Sequence, residues 1–340
     1  MPRSETGSRD VTVGIKEVAH RAGVSPGTVS NVLNRPERVA PTTRARVQRV
    51  IEELGFVRNG SASSLRAGHG RIVGLMLHDL GNPFFAEIAR GVEDLMSERD
   101  YGVILCGSAS QARREERNMR MLAEQQVRGV LVTPVSDDRG SLALLRERGI
   151  PTVMIDHPAT RGDQCSVTVD DVTGGRLAVN HLLEQGARDI VFLGGPLTIR
   201  QNADRRRGAL RALEETGTGS LREVIVDEMT SRAGHEAAER LLAELPDAVF
   251  CANDLLAMGV LRVFLQQGVR VPGRVMVVGY DDIEYALASA VPLTSVRQPP
   301  CKLGRIAAEL LLDECDNPAD HSHQQILFQP ELIVRESTTR

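Results

Sequence analysis

Tryptophan is absent from this 340-residue chain and aromatic residues make up only 3% of it, so stacking on a flat ligand falls to a few Phe and Tyr rings. The five cysteines include no C-x-x-C pair and no paired Cys/His spacing. Their odd number and scatter argue for reduced thiols and against a structural zinc, so no metal and no cofactor is expected. No apolar run reaches membrane length, and the first ten residues are polar with no signal-peptide core. The expected location is therefore cytoplasmic. No Gly-rich phosphate loop occurs, and no Ser/His/Asp or Cys/His grouping rises above coincidence, which argues against an enzyme.

What is present begins at residues 15–33, IKEVAHRAGVSPGTVSNVL. Ile15, Val18, Ala19 and Ala22 recur at helical spacing, Gly23 interrupts them, and Val29, Val32 and Leu33 resume the pattern on a second helix. This is a helix-turn-helix. Ser25 is a suitable N-cap, because its hydroxyl accepts from an otherwise unpaired N–H of the first turn, and Pro26 follows where a missing N–H costs nothing. With the branched residues turned inward, Pro26, Gly27, Thr28, Ser30, Asn31 and Asn34 form an outer face small and uncharged enough to approach base edges and phosphates. Ser25 joins this set at the helix start. Asn31 is the best base reader, since an amide pairs bidentately with adenine N6 and N7; Thr28 and Ser30 suit phosphate oxygens.

A third apolar series, Val47, Val50, Ile51 and Leu54, follows Pro41-Thr42-Thr43, so three helices can enclose a small core. Charge agrees with contact to a polyanion. Residues 1–70 carry 11 Lys+Arg and 6 Asp+Glu, a net of +5, while the whole chain is −4, which leaves −9 for residues 71–340.

From about residue 71, short apolar strands alternate with amphipathic helices. IVGLML (72–77), GVILCG (102–107), GVLVTP (129–134) and TVMID (152–156) form one series. DIVFLG (189–194), EVIVD (223–227), DAVFCA (247–252) and VMVVGY (275–280) form another. Strand-helix alternation implies an α/β fold with parallel sheets, and two series imply two similar lobes. Ligands of such sheets lie beyond the carboxyl ends of the strands. Asn82, Phe84, Phe85 and Asp156 occupy such positions in the first series, and Arg205, Met229, Asn253 and Asp281 in the second. Carboxylates, amides and a guanidinium beside aromatic rings suit a polyhydroxylated or heterocyclic molecule.

The run from Val13 through the segment ending at Gly68 resembles the N-terminal DNA-binding segment of the LacI/GalR family of bacterial transcriptional regulators. NPFF, VDDVTGG, ANDLLAMG, VVGYDD and VRES follow in the family's order, so the resemblance extends from about residue 13 to 338. It implies a disordered tail at 1–12, a three-helix DNA-binding domain at 13–58, a hinge helix at 59–70 and a bilobed, type I periplasmic-binding-protein-like effector and dimerisation domain at 71–340. Lobe 1 is expected at about 71–157 and 294–321, lobe 2 at about 163–286 and 330–340, with crossings near 157–163, 286–294 and 321–330. The family also implies that Leu65 inserts between base steps in the minor groove. A lone Leu in the polar run NGSASSLRA fits such a wedge. Asn59, which opens that run, joins the DNA-contacting set. By motif, Arg205 in DRRRG and Asp281 in GYDD match the family's ligand-bonding positions, and Phe84 and Phe85 its cleft wall.

Two departures matter. Met229 stands where relatives place an aromatic ring, which weakens a pyranose assignment. Pro26-Gly27 stands where many relatives carry larger base-contacting side chains, which shifts specificity toward Asn31 and duplex deformation at the hinge. The expected protein is a repressor that binds a pseudo-palindromic operator as a homodimer, controlled by a sugar, polyol or nucleoside-like effector. The alternative is an exported solute-binding receptor of the same bilobed fold.

Overall fold

The computed structural model describes residues 13–56, 70–135, 140–159 and 162–339. It divides at residue 70 into two compact units, the second spanning Arg71–Arg340. The candidates Asn59 and Leu65 lie outside the described residues.

The first unit holds α1 (Ile15–Ala22), α2 (Pro26–Asn34), a 3-10 turn (Pro36–Arg38) and α3 (Pro41–Glu53). Gly23 ends α1 at φ 63°, a left-handed conformation that a side chain disfavours, and its N–H reaches back to the last turn of the helix. Val24 N–H bonds the Ala19 carbonyl at 3.0 Å and completes the motif. Ser25 Oγ accepts from Thr28 N–H at 3.1 Å and Pro26 takes the first helical position. The core between the helices consists of Val18, Ala19, Ala22, Val29, Val32, Val47 and Val50, all buried.

In the second unit the chain runs β1 (Ile72–Leu77), α4 (Pro83–Glu98), β2 (Gly102–Gly107), α5 (Ala112–Glu124), β3 (Val130–Val132), α6 (Gly140–Glu147), β4 (Thr152–Ile155) and β5 (Cys165–Val169). It continues through α7 (Asp171–Glu184), β6 (Asp189–Gly194), α8 (Arg200–Thr216), β7 (Ser220–Ile225), α9 (Ser231–Leu241), β8 (Ala248–Cys251) and α10 (Asp254–Gln266). Last come β9 (Met276–Asp281), α11 (Glu284–Ala288), β10 (Thr294–Arg297), α12 (Pro300–Asp316), β11 (Gln325–Phe328) and β12 (Glu331–Ile333).

Two six-stranded sheets result, ordered β11-β5-β4-β3-β1-β2 and β12-β10-β9-β8-β6-β7. Every pairing is parallel except β10 with β12. The central strands are buried on both faces, as continuous runs such as IVGLML require. In lobe 1, α4 and α12 cover one face over Leu75, Ile88, Leu131 and Leu311, and α5 covers the other over Met76, Met119 and Leu122. In lobe 2, α9 and α10 pack over Val249, Leu256 and Phe264, while α7 and α8 lie over Phe192, Phe250 and Tyr280.

One close helix contact sets the depth of a site residue. A Cβ on Gly175 of α7 would stand 2.0 Å from the Arg205 carbonyl oxygen of α8, and one on Gly208 would meet Val172 O at the same distance. Only glycine lets these helices approach so far. The VRES block closes lobe 2: Arg335 reaches Asp282 at 2.7 Å, and Ser337 Oγ accepts from Thr294 N–H at 2.8 Å while donating to Val277 O.

The lobe boundaries differ from the sequence reading. β5 (165–169) pairs with β4 in lobe 1 rather than opening lobe 2, and β10 (294–297) pairs with β9 in lobe 2 rather than opening lobe 1. The crossings therefore fall at residue 170, at 298–299 and at 329–330. CSVTV and TSVR interleave polar residues with branched ones, so neither shows the apolar run that marked the other strands. β7 begins at Ser220, three residues before the run EVIVD suggested, because it pairs with β6 from Asp189 onward.

Candidate functional site

Asn31 projects from α2 as an exposed amide, with exposed Pro26, Gly27 and Ser25 along the same helix and half-buried Thr28 and Ser30. Two pairs within the expected set are already engaged locally. Asn34 Nδ2 donates to the Ser30 carbonyl at 2.7 Å, and the Ser25 and Thr28 hydroxyls lie 3.0 Å apart. The sequence reading left the surrounding cations unnamed. Lys16, Arg21, Arg35, Arg38, Arg46 and Arg49 are exposed, and none forms an ion pair among the described residues. Their signal was the net +5; Lys16 and Arg21 lie on α1, Arg46 and Arg49 on α3, and Arg35 and Arg38 between α2 and α3. Unpaired guanidinium groups around a small uncharged face suit phosphates flanking a base-reading edge.

The second site lies between the lobes, at the carboxyl ends of their strands. Arg205, in the second turn of α8, is only 4% exposed. Its Nε donates to Asp171 Oδ1 at 2.8 Å, its Nη1 donates to the Ala252 carbonyl at 2.6 Å, and its guanidinium lies 3.7 Å above the Tyr280 ring. Asp281 closes β9 at φ 102°, a conformation costly for a side-chain-bearing residue. One Asp281 oxygen accepts from Gln298 Nε2 at 2.8 Å and stands 3.8 Å from Arg205 Nη1. The other accepts from Asn82 Nδ2 at 3.0 Å, and Asn82 Oδ1 simultaneously caps α4 through Phe84 N–H. Asp156, at φ 55°, accepts from Gln201 Nε2 at 2.9 Å.

These bonds join the two lobes directly. Asn82 and Asp156 belong to lobe 1, whereas Asp281 and Gln201 belong to lobe 2. The structure thus brings together Asn82, Asp156, Arg205 and Asp281 from four distant stretches of sequence. The remaining candidates have other duties. Phe84 is 2% exposed within the lobe 1 core; Phe85, equally core, meets the His78 ring edge-on at 4.4 Å. Asn253 caps α10 through Leu256 N–H and donates to Met229 O at 3.0 Å, and Met229 packs half-buried against both cores of lobe 2.

Six further residues enter the site: His78, Asp171, Gln201, Asn202, Tyr280 and Gln298. Asp171 follows β5 and Gln298 follows β10, two of the strands the sequence did not reveal. His78 follows β1 and was within reach of the strand-end rule. Gln201 lies one helical turn before Arg205, so the i, i+4 spacing pointed to it.

Burial governs the protonation of this site. It pushes the Asp281 carboxyl up to about 6, against the opposing pull of Arg205 and of the Asn82 and Gln298 amides. It lowers the His78 imidazole to about 4, with Arg205 adding to the effect. Asp156 is held well above the ordinary carboxylate range by burial and by Asp171. Burial disfavours the charge on Arg205, but Asp171, Tyr280, Asp281 and Asp156 together raise its pKa. Asp156 Oδ1, Asn202 Oδ1 and Gln298 Oε1 are buried acceptors with no hydrogen-bond partner. Such acceptors favour a ligand that donates O–H or N–H groups.

Comparison with known proteins follows the same division. Residues 14–59 match the family model of bacterial regulatory proteins of the lacI family, and residues 179–338 match that of the periplasmic binding protein-like domain. The chain is 37% identical to the HTH-type transcriptional repressor PurR of Proteus mirabilis, with 95% of this chain and 96% of that protein covered. Among solved structures, the transcriptional regulator CelR–cellobiose complex is 34% identical at a TM-score of 0.71, covering 96% of this chain and 99% of that one. The lac repressor dimer bound to operator and the anti-inducer ONPF is 26% identical at a TM-score of 0.84, with the same coverage.

Proposed function

The chain belongs to the LacI family of bacterial transcriptional regulators, a DNA-binding repressor and not an enzyme, and from that premise we propose a homodimer that grips a pseudo-palindromic operator under the control of a small molecule in the interlobe cleft. Each subunit presents α2 to one half-site, with Asn31 on a base edge and the unpaired cations on phosphates. Leu65 wedges open a base step at the centre. The effector is a donor-rich sugar, polyol or nucleoside-like molecule. The protein works in the cytoplasm, where its five unpaired cysteines stay reduced.

The observation that carries this reading is the pair of bridges Asn82–Asp281 and Gln201–Asp156. The groups suited to a polar ligand are the same groups that fasten one lobe to the other, so a ligand that takes them over changes lobe closure. By linkage, its affinity and the operator's change by the same factor. The cellobiose and anti-inducer complexes of the similar structures support an effector in such a fold, and the operator-bound dimer supports duplex binding by two copies. Exposed apolar side chains support dimerisation: Leu265, Tyr285 and Leu287 are 39%, 56% and 65% exposed, and Leu265 borders a cavity of about 300 Å³ with Met258, Leu261 and Ala290.

The test is a thermal-shift screen of sugars, polyols and nucleosides on the full chain, followed by duplex binding with each hit. A ligand at 100 times its dissociation constant adds about 2.7 kcal/mol, well above detection. A hit that alters duplex affinity and is lost on Asp281→Ala supports the assignment. A hit of unchanged affinity on that variant removes Asp281 from the site.

A further inference from the structure

Far from the cleft end of lobe 1, the last strand of its sheet brings the end of α12 and the segment that follows it against the start of β5. β11 pairs in parallel with β5, Gln325 opposite Ser166, so the segment between α12 and β11 folds back over the start of β5. His321 and His323, spaced as H-x-H, are thereby set against Cys165, and Glu314 reaches the same point from the last turn of α12. Cys165 Sγ lies 3.3 Å from His321 Nε2 and 3.8 Å from His323 Nδ1, while Glu314 Oε2 is 4.0 Å from His321 Nε2. One donor atom from each of the four residues falls within 4.8 Å of all the others.

We propose that Cys165, His321, His323 and Glu314 form a binding site for one Zn²⁺ or a similar borderline-soft divalent ion. Bonds of about 2.0–2.3 Å to sulfur, nitrogen and oxygen in a tetrahedron put neighbouring donors roughly 3.3–3.8 Å apart, close to the spacing found. The surroundings match those of a metal site in two further respects. His321 Nδ1 is bonded to Asp313 Oδ2 at 2.7 Å, which fixes the ring and directs Nε2 toward the sulfur, as in carboxylate–histidine–metal triads. Glu314 Oε2 is buried without a hydrogen-bond partner, an acceptor in search of a positive charge. The Gln324 backbone N–H points at Sγ at 3.3 Å, a donor suited to a thiolate. Binding replaces the Cys165 S–H proton by the ion and releases that proton to solvent.

The ion would tie β5 and β11 to the end of α12. β11 leads into the last interlobe crossing at 329–330, so this staple anchors the lobe 1 side of one connection between the lobes. It is separate from the cleft: Cys165 begins β5, and Asp171 lies six residues on, about 20 Å along an extended chain. The expectation of no structural zinc rested on linear Cys/His spacing alone. The fold supplies the proximity that spacing lacked.

The experiment uses the tag-free full chain, stripped with a chelator and kept reduced with a phosphine, titrated with Co²⁺ as a spectroscopic probe and then with Zn²⁺ in competition. The expected result is one ion per chain, a thiolate-to-cobalt charge-transfer band in the near ultraviolet and tetrahedral d–d bands in the visible. Cys165→Ser abolishes the charge-transfer band, whereas Cys301→Ser and Cys315→Ser retain it. His323→Ala, at an exposed position that spares the fold, and Asp313→Asn each weaken Zn²⁺ affinity by about 10–100-fold. The proposal is overturned if the wild-type chain binds no stoichiometric ion, if the band survives in Cys165→Ser, or if His323→Ala binds Zn²⁺ as tightly as wild type.

Discussion

The candidate sites of the two units place arginine in different settings. In the first, Arg21, Arg35, Arg38, Arg46 and Arg49 stand exposed with no carboxylate partner among the described residues. In the second, Arg205 is held by Asp171 and faces Asp281, Arg335 is held by Asp282, and Arg128 by Asp316. A free surface cation is available to a polyanion, whereas a buried and paired one is committed to architecture. Net charge of +5 against −9 follows the same division. The proposed duplex contact thus draws on exposed arginines and the proposed effector site on a buried, paired one.

The largest test of this contrast is Arg205→Met. It strands Asp171 and Asp281 in a buried setting, and losing one partner of such a pair costs about 3–5 kcal/mol. Denaturation of the full chain should show that loss, whereas Arg21→Gln or Arg49→Gln should leave stability within about 0.5 kcal/mol of wild type. Equal losses in both classes would end the distinction. Next in size, Asn31→Ala should weaken specific duplex binding by about 1–3 kcal/mol while sparing non-specific affinity, read by anisotropy on operator and random duplexes. A uniform loss on both would show that Asn31 does not read bases.

Much of this contrast was legible in the chain. Gly23, Ser25 and Pro26 mark where one helix stops and the next begins, and each does so by a local backbone requirement that needs no tertiary context. The branched residues of IVGLML and DIVFLG likewise declare fully buried strands. β5 and β10 escaped because CSVTV and TSVR bury polar side chains that find partners elsewhere, such as Thr294 Oγ1 on Arg335 O and Ser295 Oγ on Asp254. The strand-end rule fails wherever the strand goes unseen, and Asp171 and Gln298 were lost with β5 and β10. Phe84, given by the family resemblance as cleft wall, is 2% exposed and packs in the lobe 1 core. The cluster around Cys165 was only partly legible: Glu314, His321 and His323 stand close in sequence, but a sheet pairing brings Cys165 to them.

The smaller predictions sharpen the comparison. Asp281 has a folded pKa of about 6, above the usual carboxylate value, so its protonation favours the folded state as pH falls through 6 toward 4. His78, held at about 4, acts in the opposite sense: the unfolded chain takes up its proton near 6.5 first, so stability is lost over the same window. The two offset each other in the wild-type chain. Asp281→Asn removes one side, and its stability should fall more steeply than wild type between pH 6.5 and 4; parallel curves would show that Asp281 does not titrate there. Smallest of all, Arg21→Gln or Arg49→Gln should each reduce the slope of log K against log salt by about 1, whereas Arg297→Gln in lobe 2, already paired with Asp282, should leave it unchanged.

The most direct measurement is duplex affinity, by anisotropy, with and without the ligand that gives the largest thermal shift, on the wild-type chain and on Asp281→Asn. The account predicts a change of about 5–150-fold in the wild type and none in the variant, with duplex affinity of the ligand-free proteins similar. An identical ligand response in both chains, or no response in the wild type to a ligand that demonstrably binds the cleft, would contradict it.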